Sequence, residues 1–467
     1  MCYNLLDEEW IPVLYHNGQW TRVGIRKAIQ DAVKIRQIVA PNPMDRFAIF
    51  RFLLALLYWC KGNPPDNFDA NQTKVFPPEW FTKLDENREC FNLLGEGKRF
   101  FQDKEARRSR PTTDLIQEIP TGNNFWHFRH STDYKIGLCP SCCTLGLLRM
   151  PIFTTLGGRA TPYLYAGING APPIYITLKG TTLFETLILN WRTAENLGLP
   201  AWYESFIRPT PDQDIPLLTG LTWLSRRVWL HDSRHNGICF NCGQNSQRLI
   251  LTCEIQSPGK NECTAWRDPH IIYYKNKDKE LSLKTHDPIS AGDFRMDRQW
   301  PSHIMRIIEA GRIQSRKKPY SLHLIGFATS DAKHIDVWEQ SIRIPSDLLL
   351  SDNVVSCWKN WQYEGRKLEK QIVRSNEQGK AAIASVRPQV ESQVSSHIGE
   401  LLTDDLEIWR ETAEYYRPLM RGIAGANAPG YNVKALRKRS RIQGVIPKIT
   451  LIEDTSSKTQ DKDGASK

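Results

Sequence analysis

A chain of 467 residues is too long for one compact core and has room for two or three domains. With 40% hydrophobic and 24% charged residues, its composition is ordinary for a globular protein and argues against a largely disordered chain. Lys and Arg outnumber Asp and Glu by 62 to 51, a net +11 that suits contact with a polyanion without establishing it.

The opening MCYNLLDEEWIPV is acidic and lacks the basic region and apolar core of a signal peptide, so a cytoplasmic location is expected. The most apolar stretch, 47–60, is interrupted by Arg51. As a helix it rises about 21 Å, short of a roughly 30 Å hydrocarbon core. It reads as a buried helix beginning near Asn42-Pro43 and Asp45. Further along, 174–178 reads as a strand, 183–191 as a helix with one buried face, and 271–274 and 321–325 as strands. Gly and Pro punctuate 156–173 heavily. There is no internal repeat and no regular alternation of strand and helix. The expected fold class is α+β, with a large irregular mixed α/β domain over 1–348.

The texture changes after about 352. Val354, Trp358, Trp361, Gly365, Leu368 and Ile372 alternate spacings of four and three, as on a helix packed against others, and Val394, Ile398 and Leu401 continue the pattern. Asp404 and Asp405 stand where the dipole of a helix over 406–420 favours acids, and 432–442 can form a last, basic helix. A C-terminal four-helix bundle over 349–443 is expected, followed by a disordered polar tail over 444–467.

The chemistry-bearing residues are few. Eleven cysteines, an odd number without a signal peptide, argue against a disulfide framework. Four of them form two C-x-x-C pairs, Cys139/Cys142 and Cys239/Cys242. Each pair can chelate through two thiolates, and two pairs complete a tetrahedral four-cysteine site. One structural zinc is therefore expected, set against the plainer reading of two unrelated thiol pairs. Cys143 offers the first pair an alternative ligand, and His231 and His235 lie near the second. No P-loop, dinucleotide fingerprint or nucleophile elbow occurs, and neither cysteine pair has the surroundings of a zinc deaminase, so no enzyme activity is expected. The Gly157-Gly158-Arg159 loop allows close backbone approach beside a positive charge. Lys275, Lys277 and Lys279 read as a hairpin tip, and Lys434, Arg437, Lys438, Arg439 and Arg441 give the last helix a basic face fit for a nucleic-acid backbone or for solvent.

Taken in order, several segments resemble the CasA family, the large subunit of the type I-E CRISPR surveillance complex Cascade. They are NLLDEEWIPV (4–13), the apolar helix, Arg99-Phe-Phe-Gln102, the first cysteine pair, the glycine-rich loop, NGAPPIYITLKG (169–180), ICFNCGQ (238–244), TAWRDPH (264–270) and LIGFATSDAKHI (324–335). The resemblance runs to about residue 442. It implies recognition of a protospacer-adjacent motif in double-stranded DNA from the minor groove, by the loop at Gly157, Gly158 and Arg159 and a lysine finger at Lys275. It also implies a strand-separating wedge at Ser330, Asp331, Ala332 and Lys333, where Ala332 stands in place of the glutamine some relatives carry. It further implies that Asn124 and His127 fall in the segment that in the family touches the guide RNA handle, where Phe125, Trp126 and Phe128 can stack on bases. The implied partners are target DNA, guide RNA, the other Cascade subunits and a helicase–nuclease recruited after R-loop formation. Two other readings compete: a stand-alone zinc-containing DNA-binding regulator, and a metal-dependent nuclease.

Overall fold

The structure is a computed structural model and describes residues 3–65, 75–116, 136–153, 173–205, 214–233, 235–256, 266–271, 273–276, 279–282, 320–330 and 333–344. The chain divides into one unit of Met1–His286 with His323–Gln340 and another of Asp287–Leu322 with Ser341–Lys467. The helices expected over 349–443, with Lys434, Arg437, Lys438 and Arg439, lie outside the described residues, as does the tail.

The first unit begins with strands β1 (Tyr3–Asn4), β2 (Ile11–Tyr15) and β3 (Trp20–Val23), helix α1 (Ile25–Gln30) and strand β4 (Ile35–Ile38). Helix α2 (Pro43–Lys61) follows, then α3 (Thr82–Glu86), β5 (Asn92–Leu94) and β6 (Ser109–Pro111). Helix α4 (Pro140–Phe153), β7 (Tyr175–Lys179), α5 (Leu183–Asn190) and α6 (Leu217–Leu221) come next. The remaining described elements are strands: β8 (Arg227–Leu230), β9 (His235–Ile238), β10 (Asn245–Leu249) and β11 (Thr252–Gln256). After them come β12 (Tyr273–Asn276), β13 (Lys279–Ser282), β14 (Tyr320–Ser330) and β15 (Lys333–Ile344). They pair in small sheets, three of three strands (β3-β2-β4, β6-β11-β8, β15-β14-β7) and three of two. The architecture is mixed and irregular, as the sequence implies.

The core is organised by α2. Asn42 caps it by accepting from the Met44 N–H at 2.8 Å, Pro43 supplies a first-turn residue that needs no N–H partner, and Asp45 sits at the positive end of the dipole. Gly62 ends it at φ +86°, its N–H donating to the Tyr58 carbonyl. A helix this apolar on every side belongs inside, and nearly all of it is buried. Its two buried charges are both paired. Arg51, only 1% exposed, meets Asp268 at 2.6 Å and donates from Nε to the Leu221 carbonyl, while Asp45 accepts from Arg149 of α4 at 2.6 Å. Burial alone pushes the Asp268 carboxyl up. The adjacent Arg51 guanidinium and the His270 ring and N–H outweigh it and hold the carboxyl well below the usual range. Arg51, which breaks the apolar run in sequence, is thus the helix's tie to the TAWRDPH segment. No described helix is long and apolar enough to cross a membrane.

Other segments quoted above are structural too. Asn4 donates to the Arg88 carbonyl and the Asn92 side chain and accepts from the Leu6 N–H. Gln102 donates to the Leu93 carbonyl and accepts from the Leu230 N–H, and Arg99 lies 3.9 Å over the Trp229 ring. These contacts join β5 to β8. Strand boundaries shift from the expected ones. The strand at 174–178 begins one residue later, and that at 321–325 extends over eleven residues. Ile271 forms only an isolated bridge to Tyr175, because its N–H closes a turn onto the Asp268 carbonyl, and the β12 ladder starts after it.

Candidate functional site

Cys139 stands just before α4 and Cys142 in its first turn, while Cys239 and Cys242 occupy the turn between β9 and β10. Two things bring these turns together across a hundred residues. Leu138 and Ile250 exchange backbone hydrogen bonds at 3.0 and 2.8 Å, and the Phe240 N–H donates to the Gly137 carbonyl. Gly243, at φ +69°, lets the second turn close, with its N–H on the Cys239 carbonyl at 2.9 Å. The four Sγ atoms then lie within 4.8 Å of one another, three of the residues buried and Cys242 half-buried.

This donor set fits a tetrahedral ion. A metal–sulfur distance of about 2.3 Å gives a tetrahedron with edges of about 3.8 Å, and the Cys139–Cys242 sulfurs are 3.8 Å apart. The Cys139 N–H and the Asn241 side chain donate to the Cys239 and Cys142 sulfurs at 3.2 and 3.4 Å, orienting them and easing the build-up of negative charge. Hydrogen bonds from Cys139, Cys142 and Cys239 push the Cys242 thiol far down. Those with Cys139, Cys239 and Cys242 push the Cys142 thiol far up. Without a cation the cluster must share protons. A divalent ion removes that conflict.

The alternative ligands that the spacing left open stand outside this cluster. Cys143, one residue further round α4, points into the core, fully buried, with its thiol toward the Leu138 carbonyl at 3.9 Å and pushed well up by burial. His231 lies outside the cluster and faces Glu254 at 3.5 Å, and His235 is exposed on β9.

Of the remaining candidate residues, Lys275, Ser330 and Lys333 fall on two described hairpins. Strands β12 and β13 pair with Lys275 opposite Glu280 and Asn276 opposite Lys279, which puts Lys275 one register step from the turn. Strand β14 ends at Ser330 and β15 begins at Lys333, so these two flank a two-residue connection. The β14–β15 hairpin continues the sheet from β7, whereas β12 and β13 form a sheet of their own and only Ile271, two residues before β12, bridges Tyr175 of β7. Asp331, Ala332, Asn124, His127, Gly157, Gly158 and Arg159 lie outside the described residues.

The profile of the family described as CRISPR-associated protein Cse1 matches residues 4–443. This chain belongs to the Cse1 family. A curated relative, the CRISPR-associated protein CasA/Cse1 of Thermus thermophilus, is 29% identical over 197 residues, which cover 40% of this chain and 39% of the relative. The matched part therefore spans well under half of that relative's length. The crystal structure of Thermus thermophilus CasA superposes with a TM-score of 0.71 at 19% identity, covering 96% of this chain and 99% of that one. A chain of a CRISPR RNA-guided surveillance complex superposes with a TM-score of 0.65 at 15% identity, covering 95% and 99%. These likenesses show a shared Cse1 fold.

Sequence reasoning missed one cluster. Arg36, Arg46, Lys179 and His323, from β4, α2, β7 and β14, line a single cleft. No local pattern links residues so far apart in the chain. Only the β4, β7 and β14 placements bring them together.

Proposed function

We propose that this Cse1-family chain is the large, non-catalytic subunit of a type I-E surveillance complex, and that it reads the protospacer-adjacent motif in double-stranded DNA. The observation that carries the reading is the family match over 4–443, since it spans every candidate residue of the nucleic-acid interface. In this reading the loop of Gly157, Gly158 and Arg159 approaches the minor-groove floor and Lys275 enters beside it. The groove's degenerate donor–acceptor pattern means that such a loop tolerates several related motifs. Ser330, Asp331, Ala332 and Lys333 form the wedge. The places of Ser330 and Lys333 at the facing ends of paired eleven- and twelve-residue strands support this, because a long, paired ribbon is stiff enough to press on a base step. Unstacking a step costs a few kcal/mol, recovered as protein contacts and guide pairing form.

Asn124 and His127 contact the guide RNA handle. The four-helix bundle over 349–443 offers Lys434, Arg437, Lys438 and Arg439 to the DNA backbone. After R-loop formation the complex recruits a helicase–nuclease, all in the cytoplasm. The Cys139, Cys142, Cys239 and Cys242 site holds one zinc. With four thiolate ligands the ion has no open position for substrate, so it supplies folding energy by tying α4 to the β9–β10 turn.

The test is reconstitution of the complex from guide RNA and the other subunits, with and without this chain, followed by R-loop formation on a matched duplex. The chain should co-purify with the complex, and its omission should abolish opening of duplex targets. Normal motif-dependent R-loop formation without it would refute the proposal.

A further inference from the structure

A cleft opens to solvent between β4, the start of α2, β7, α5 and β14. Its described lining brings together Arg36, Gln37, Arg46, Lys179 and His323 and includes no acid. One carboxylate, Glu339 of β15, stands at its edge and is already engaged by Arg46 and by His323. The His323 hydrogen bond, with Arg46 behind it, holds that carboxyl down at about 2. Arg46 is fixed in place by two further bonds, donating to the Ala40 and Pro41 carbonyls at 2.6 and 3.1 Å.

Lys179 is half-buried at the end of β7, and its one hydrogen-bond partner among the described residues is Gln37 at 3.2 Å. Arg36 has no ion pair among the described residues. Burial lowers the Lys179 ammonium's pKa, and the nearby Arg46 and Arg36 lower it further against the pull of Glu339. Lys179 and Arg46 are half-buried, Arg36 is exposed at the rim, and the one described carboxylate at the edge is taken up by Arg46 and His323. Keeping the Lys179 charge half-buried beside two guanidinium groups costs free energy, which an anion joining them would offset.

We propose that this cleft binds a backbone phosphate of a single nucleic-acid strand, with Arg36 and Lys179 as the principal contacts and Arg46 as a fixed third donor. The proposal rests on the nucleic-acid function above. A phosphate fits better than a carboxylate because it presents oxygens in several directions, matching donors that come from three different elements. The cleft lies at the base of the β14–β15 hairpin, six to seven residues from Ser330 and Lys333, or about 20 Å along the strands. A strand leaving the hairpin's tip along its length would pass this point.

The experiment uses the full chain with a fluorescent single-stranded oligonucleotide, as DNA and as RNA of the same sequence, titrated at several salt concentrations. For the Arg36→Gln/Lys179→Gln double variant we expect about a tenfold weaker affinity and a log–log salt slope shallower by about 1.4, two phosphate contacts on a single strand. Glu339→Gln removes the competing carboxylate and should tighten binding a few-fold, a gain that a damaged fold would not give. Inorganic phosphate should compete with the oligonucleotide on the wild type and lose that ability on the double variant. Unequal losses for DNA and RNA would identify which strand the cleft takes. Wild-type affinity and slope in the double variant would overturn the inference while leaving the function above intact, provided the variant complex still opens matched duplexes. Failure of the wild-type chain to bind either strand would overturn the inference directly. Failure of complex assembly with normal oligonucleotide binding would count against the function alone.

Discussion

The buried pair between Arg51 and Asp268 makes a quantitative claim. Their side chains are 1% and 0% exposed and 2.6 Å apart. Replacing Asp268 with Asn leaves the Arg51 guanidinium buried without its counter-charge, which costs about 3–5 kcal/mol. With a urea m-value of about 3 kcal/mol per molar for a unit of this size, the midpoint should fall by roughly 1–1.7 M. Tryptophan fluorescence is a suitable probe, because Trp59 and Trp202 pack edge to face in the same core. The double variant Arg51→Met/Asp268→Leu removes both charges and should recover much of the loss. It stays below wild type because the His270 N–H loses its 2.9 Å acceptor, a deficit of about 1–3 kcal/mol. The pH dependence follows from the sign of the shift. Asp268 is held below its unfolded value of about 3.9, so its contribution is complete above about pH 4 and is lost as pH falls toward the lower folded value. Wild type should therefore lose stability more steeply than Asp268→Asn in that acid window. A single variant costing less than about 1 kcal/mol, or a double variant as unstable as the single, would refute the reasoning.

Gly220 in α6 has no room for a side chain, since a Cβ there would lie 2.1 Å from the Trp266 ring. Gly220→Ala should destabilise the chain by about 1–3 kcal/mol through overpacking, despite the better helix propensity of alanine, and thermal melting would show it. Purified protein should carry about one zinc per chain by elemental analysis, and Cys139→Ser or Cys239→Ser should lower both metal content and melting temperature. A fully folded, metal-free wild-type protein would contradict the proposed zinc.

How much of this was legible in sequence varies by element for physical reasons. Helix α2 was readable because its signals are local: Asn42, Pro43 and Asp45 at its start, and an apolar run that only a buried helix accommodates. Arg51 was readable only as an interruption, since the partner that makes it tolerable lies 217 residues away. The four-cysteine cluster could be anticipated from paired C-x-x-C spacing. The choice between Cys142 and Cys143 could not, because it depends on the phase of α4 against the core. The cationic cleft left no trace in the sequence, as its residues come from separate elements that meet only in the folded unit. TAWRDPH and Arg99-Phe-Phe-Gln102 carry the family resemblance, and Asp268 and Gln102 in them are buried and bonded within the core.

The proposed reading of duplex DNA by backbone approach of the Gly157-Gly158-Arg159 segment is tested most directly by one measurement. The complex reconstituted with Gly157 or Gly158 replaced by a bulky residue would be titrated against three guide-matched targets. These are a duplex with a good adjacent motif, a duplex with a poor one, and a duplex already opened as a bubble. Reading by backbone approach predicts that the substitutions weaken binding to the good-motif duplex toward the poor-motif level. Binding to the bubble should stay nearly unchanged, because guide pairing there does not pass through the groove. Equal weakening on all three targets would make the loop a structural element and contradict the claim.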